Sequence, residues 1–159
     1  MSFTPITPTD TQTDRQDLCD ALAAMVDAFI VANTWQVGRK FLSELPDSFL
    51  GEGPLIVIGA ITERVQHDVQ TRTTVFSGSL FFFDSFTSHD EYRVRVNTFA
   101  DMMRDWFTAN VRLVNPAAGE LRQVGFMEDE RTQGRFTFGA PHVDFEYEIQ
   151  EGRSTPWPL

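Results

Sequence analysis

The 159-residue chain has one cysteine, Cys19, and one lysine, Lys40. A lone thiol excludes an intramolecular disulfide and any metal site built from several cysteines, and the plain expectation for it is a small buried hydrophobe. Cationic charge is scarce overall: 13 basic residues stand against 23 acidic ones, for a net charge of −10. A surface of that sign repels phosphate backbones, so a protein that grips nucleic acid is disfavoured, whereas a conduit that lets DNA slide past needs that sign. Long apolar runs are also missing. The longest nearly uncharged one, Pro54 to Ile61, is too short to span a bilayer. The first residues, MSFTPITPTDTQTD, carry neither a cation nor an apolar run, so no signal peptide is expected. A soluble protein with no membrane partner follows as the expectation.

Phosphate-cradling glycines are lacking too. Gly51-Glu52-Gly53 precedes a strand pattern without the later glycine and lysine of a phosphate loop, and reads as a turn. Ser77-Gly78-Ser79 lies inside a strand pattern and lacks the strand-to-helix elbow that exposes a nucleophilic serine. Gly78 there marks a bulge or a close backbone approach.

What is present is a core. Apolar residues make up 42% of the chain and 15 of them are Phe, enough to fill the space between a sheet and covering helices at a length typical of one domain. Residues 1–13 are rich in Thr and Pro and poor in apolar groups, the composition of a flexible arm. Thr13 with Gln16 forms a capping-box pattern. Leu18, Leu22, Met25, Phe29 and Ala32 then recur at helical spacing, predicting an amphipathic helix over 14–33 with Arg15, Asp20 and Asp27 on its polar face. Residues 34–53 read as a connector with a short helix around Lys40 to Glu44. LIVIGAITE, 55–63, suits a central strand covered on both faces. A second strand follows within TTVFSGSLFFFDS, and the two form a hairpin whose tip, Gln66 to Gln70, projects.

Ser88 and Glu91 make another capping box, and Tyr92, Val96, Phe99, Met103, Trp106 and Phe107 mark one side of a second helix that ends before Asn115-Pro116. Strands near 121–128 and 142–150 close the pattern, separated by the charged segment Asp129 to Arg135. In the last strand Val143, Phe145, Tyr147 and Ile149 alternate with Asp144, Glu146 and Glu148, so one face is core and the other an acidic stripe. The expected fold is α+β: two helices packed on one face of a four-stranded, mainly antiparallel sheet, in the order α-β-β-α-β-β. Its domain spans 14–150, and residues 151–159 form a tail around Trp157.

Chemistry is hard to find. His67, His89 and His142 each have an aspartate close by, but exposed positions in turns and element starts account for all three. Alternate carboxylates at 144, 146 and 148 lie about 7 Å apart on one strand face, a spacing open to a divalent cation, although a solvated sheet face is the plainer account. No catalytic, cofactor-binding or metal-ligating residue is assigned, and no enzyme activity or cofactor is expected. A Phe-lined pocket around Phe81, Phe83 and Phe99 would be the place for a small ligand.

The segment Leu45 to Asp84, LPDSFLGEGPLIVIGAITERVQHDVQTRTTVFSGSLFFFD, with the element order around it, resembles the tail terminator proteins of long-tailed bacteriophages, also called tail-to-head joining or tail completion proteins. The resemblance covers 14–150 as a pattern with short matching phrases. It implies a structural virion protein, a homo-oligomeric ring, usually a hexamer, that caps the tail tube and meets a head-side connector. The ring sits at the head-proximal end of the tail, is assembled in the host cytoplasm, and passes DNA through its lumen without binding it specifically. On that view Asp144, Glu146 and Glu148 face the lumen, and Gln66, His67, Asp68, Val69, Gln70 and Trp157 dock partners. Another head–tail connector or tail-tube component is the nearest alternative, and a small-ligand-binding α+β domain a more distant one.

Overall fold

The computed structural model describes residues 14–44, 54–86, 88–111, 119–128, 131–133, 136–139 and 141–152. The chain enters through helix α1, Asp14–Ala32. Leu18, Leu22, Met25, Val26 and Phe29 are its buried stripe, while Ala32, expected on that stripe, is exposed because the helix is already ending there. The exit is a tight turn in which Thr34 takes a left-handed φ of 52° and Trp35 N–H donates to the Ile30 carbonyl. That turn throws Trp35 back onto Phe29 at 5.3 Å between ring centroids.

A short helix expected around Lys40 is instead strand β1, Gly38–Phe41, followed by one 3-10 turn, Leu42–Glu44. The reason is tertiary. β1 lies parallel to β2, Leu55–Ile58, and packs a half-buried Phe41 against the core, which outweighs weak helical preference in so short a segment. β2 is buried along its whole length, as its uniformly apolar sequence anticipates. It does not run on to residue 63. Gly59 to Ile61 interrupt it, and β3, Thr62–His67, resumes along the same partner with every residue exposed.

That partner is β4, Thr71–Phe86, a 16-residue strand and the spine of the fold. β4 pairs antiparallel with β2 over residues 80–83 and with β3 over residues 72–77. After helix α2, His89–Ala109, and strand β5, Gly119–Met127, the chain forms β6, Arg131–Gln133, and β7, Phe136–Gly139. The charged segment expected to separate two strands thus contains a small hairpin, with β7 seated on the end of β4. β8, His142–Gly152, fills the other side of β4 and carries β5 on its far edge. The four-stranded sheet expected from sequence is therefore a mixed one. β1 to β5 and β8 form its body, the β6–β7 pair extends it to eight strands, and β1–β2 is its parallel pair.

Both helices cover one face, as expected. Tyr92, Val96, Phe99, Met103 and Phe107 of α2 join the α1 stripe over Ile56, Ile58, Phe76, Leu80, Phe82, Leu121, Val143, Phe145, Tyr147 and Ile149 in one buried cluster. α2 starts where its capping box places it: Ser88 Oγ accepts from Glu91 N–H at 3.1 Å. Gly78 is the close approach anticipated for it and no bulge, since a Cβ there would lie 2.8 Å from the Phe145 ring while the β4–β8 register runs through unbroken. The bulge falls elsewhere, between Gln123 and Gly125 of β5.

Candidate functional site

The sheet has one face under the helices and one without them, and strand alternation decides what each displays. On the helix-free face, β4 shows Ser77, Ser79, Phe81 and Phe83, and β8 shows His142, Asp144, Glu146 and Glu148. Phe81 stacks on Phe83 at 5.9 Å and lies 5.0 Å from the His142 ring, so one end of this face is aromatic. Phe99 belongs to the opposite face, where it stacks on Phe82 at 5.1 Å. The three-Phe pocket considered from sequence therefore does not exist, because consecutive strand residues point to opposite sides.

The other end carries the acidic stripe. Ser79 Oγ donates to Asp144 Oδ1 at 2.6 Å, and His142 Nε2 lies 3.7 Å from the same oxygen. Arg122, brought across by the β5–β8 register, sits 3.2 Å from Glu148 and 3.9 Å from Glu146. Gln150 adds a hydrogen bond to Glu148 at 3.1 Å. The stripe is thus less solvated than its sequence implies: the side chains of Asp144, Glu146 and Glu148 are 39%, 31% and 30% exposed. It remains net negative, since Glu120 lies beside Glu148 on the same face and Arg122 is one cation among four carboxylates. Sequence reading missed Arg122, which only the cross-strand register brings to the stripe.

The projecting hairpin is present as expected. Val69 and Gln70 form its tip. Asp68 N–H donates to the Thr71 carbonyl at 2.8 Å and the Asp68 carboxylate accepts from Gln70 N–H at 3.2 Å, an Asx-type lock on the turn. Gln66, His67, Asp68, Val69 and Gln70 are all exposed, with Val69 at 66%. Trp157, the other docking residue suggested by sequence, and the arm before residue 14 lie outside the described residues.

Two further features have no sequence signal. A cavity of about 430 Å³ lies beside the α1 exit turn, lined by Trp35, Val37, Pro54, Phe82, Val94 and Arg95 among others. Arg95 reaches Asp84 there at 2.6 Å, a carboxylate only 7% exposed. Cys19 is half-buried on α1 instead of fully enclosed; burial pushes its thiol pKa up, with Arg15 opposing, so the residue is held as the unreactive thiol. His67 ends β3, and His89 and His142 stand at the first residues of α2 and β8. No group of three metal-ligating side chains gathers among the described residues. No helix there is long and apolar enough to cross a membrane. The sequence matches no family model and no curated protein at a significant level.

Proposed function

We propose that this chain is a structural subunit of a ring that closes a phage tail tube and joins it to the head-side connector, with DNA passing through the bore. The observation that carries the reading is the two-sidedness of the sheet. Helices occupy one face, and the opposite face bears Asp144, Glu146 and Glu148 in a row, with Glu120 beside them and Arg122 as the arginine within ion-pair reach of two of them. A wall of that sign keeps a polyanion from adhering to its own channel. The exposed β3–β4 hairpin supports the reading as a docking element outside the packed body. The resemblance of residues 45–84 to tail terminators supplies the specific virion role, and the chain's net charge of −10 fits a conduit better than a binder.

Negative-stain electron microscopy of the purified full chain, alone and with tail-tube protein, tests this directly. Closed rings with a central hole wide enough for duplex DNA are expected once tail-tube protein is present. Particles that stay monomeric under both conditions would defeat the proposal. Overlong tails assembled without the protein mark a terminator; tails of normal length that fail to join heads mark a connector instead. The cavity at Trp35 and Arg95 favours one second reading, a site for a small acidic ligand. A rise in melting temperature with one member of a metabolite panel, in a preparation without rings, is the result that reading requires.

A further inference from the structure

β3 is an edge strand of unusual openness. It pairs only with β4, no strand pairs on its other side among the described residues, and all six of its residues are exposed. The turn fixes which backbone groups point outward. Because Asp68 N–H bonds the Thr71 carbonyl, the hydrogen-bonded pairs with β4 fall at residues 68, 66, 64 and 62. Glu63, Val65 and His67 therefore direct their N–H and C=O groups away from the sheet. Arg15 Nη1 donates to the Ile61 carbonyl at 2.9 Å and so ends the available edge just before Glu63.

The side chains on this edge are self-complementary. We propose that β3 pairs antiparallel with β3 of a second copy of this chain, across a two-fold axis at Val65. In that register Val65 meets Val65 of the second copy, Glu63 meets His67, and about six backbone hydrogen bonds form between the three outward residues of each strand. Thr62 then lies opposite Asp68, and Arg64 opposite Gln66. The neighbouring alternatives are worse. An axis at Arg64 sets two guanidiniums face to face, an axis at Glu63 sets two carboxylates face to face, and an axis nearer the turn runs the strand out into Val69 and Gln70. On the face shared by Glu63, Val65 and His67, a groove of about 280 Å³ is lined by Arg15, His67, Arg72 and Phe76 among others. The incoming Glu63 carboxylate thus arrives beside cationic side chains. Arg15 stands 3.9 Å from Glu63 of its own chain, and Glu63 keeps 41% of its side chain exposed.

Such pairing covers an edge that in a free monomer would template aggregation. It is independent of the ring reading: it describes a dimer of the free protein through a two-fold contact, where a ring needs a head-to-tail one.

Sedimentation equilibrium of the full chain tests it, with three variants. Wild type should show a reversible monomer–dimer equilibrium. Val65→Pro removes an outward N–H and leaves the bonds to β4 intact, so it should weaken dimerisation by about tenfold or more while the circular dichroism spectrum and melting temperature hold. Glu63→Lys should also weaken it, and Glu63→Lys combined with His67→Glu in one chain should restore it, because an ammonium and a carboxylate then face each other. A wild-type chain that stays monomeric at every concentration overturns the inference, as does a dimer indifferent to Val65→Pro or a charge swap that fails to rescue. Rings that form unchanged in a Val65→Pro chain whose dimer is lost would bear out both this pairing and its independence of the ring contact.

Discussion

At the scale of single residues, the core is governed by how closely two strands approach. Gly78 has no room for a side chain: a Cβ would press on the Phe145 ring at 2.8 Å and on the Ala60 carbonyl at 3.3 Å. Phe145 is fully buried and cannot step aside. Gly78→Ala should therefore destabilise by about 1–3 kcal/mol, the usual cost of overpacking, read as a lower urea midpoint at unchanged slope. Gly125 is the internal control. Its nearest described neighbour would be Asp144 Oδ2 at 3.4 Å, an ordinary contact, so Gly125→Ala should be close to neutral. The opposite sign is expected at Thr34. A β-branched residue at φ 52° holds strain that asparagine tolerates better, and Thr34→Asn should raise stability by about 1 kcal/mol in the same titration. Loss of stability on that change would mean that the Thr34 hydroxyl, which donates to the Asn33 carbonyl at 2.8 Å, matters more than the backbone.

At the scale of elements, signals written locally were the legible ones. The Ser88–Glu91 pair announced the start of α2, and the Ser88 hydroxyl does accept the Glu91 N–H. Ser88→Ala should cost about 1 kcal/mol, a fall of about 2–4 °C in melting temperature; an unchanged midpoint would show that tertiary packing alone sets this helix start. The apolar spacing of both helices and the alternation along β8 were equally plain, because periodicity is fixed by the geometry of one element. Pairing across distant segments was not legible. β1 exists because β2 offers a parallel neighbour, and the β6–β7 hairpin because β4 runs past the end of β8. Gly59 to Ile61 look like continuous strand, yet β4 takes β2 and β3 as separate partners. For the candidate site, the carboxylates and the hairpin tip could be read from sequence. Arg122 could not, since its place opposite Glu146 depends on register.

At the scale of the whole molecule, the proposed conduit turns on what the helix-free face would do to a passing polyanion. Three carboxylates on β8 with Arg122 beside them give each subunit a modest excess of negative charge, partly shielded by side-chain burial. One such face repels weakly at physiological salt, where charges more than about 8 Å apart are screened. The proposed closed ring would repeat the face around a narrow bore, where low-dielectric walls would focus the field and every copy would act on the same DNA. The combined change Glu120→Gln, Asp144→Asn, Glu146→Gln and Glu148→Gln separates charge from shape. The amides are nearly isosteric, the Ser79 hydroxyl retains an acceptor at position 144, and partly exposed ion pairs contribute little, so the fold should survive within about 1 kcal/mol. What changes is that Arg122 loses both carboxylate partners in every subunit and turns a repelling wall into an attracting one. Rings of this variant should retain short duplex DNA in a low-salt gel-shift experiment in which wild-type rings do not. The retention should fade steeply as salt is added, because it rests on displaced counterions. A variant ring that ignores DNA as completely as wild type at low salt would show that this face is turned away from the bore.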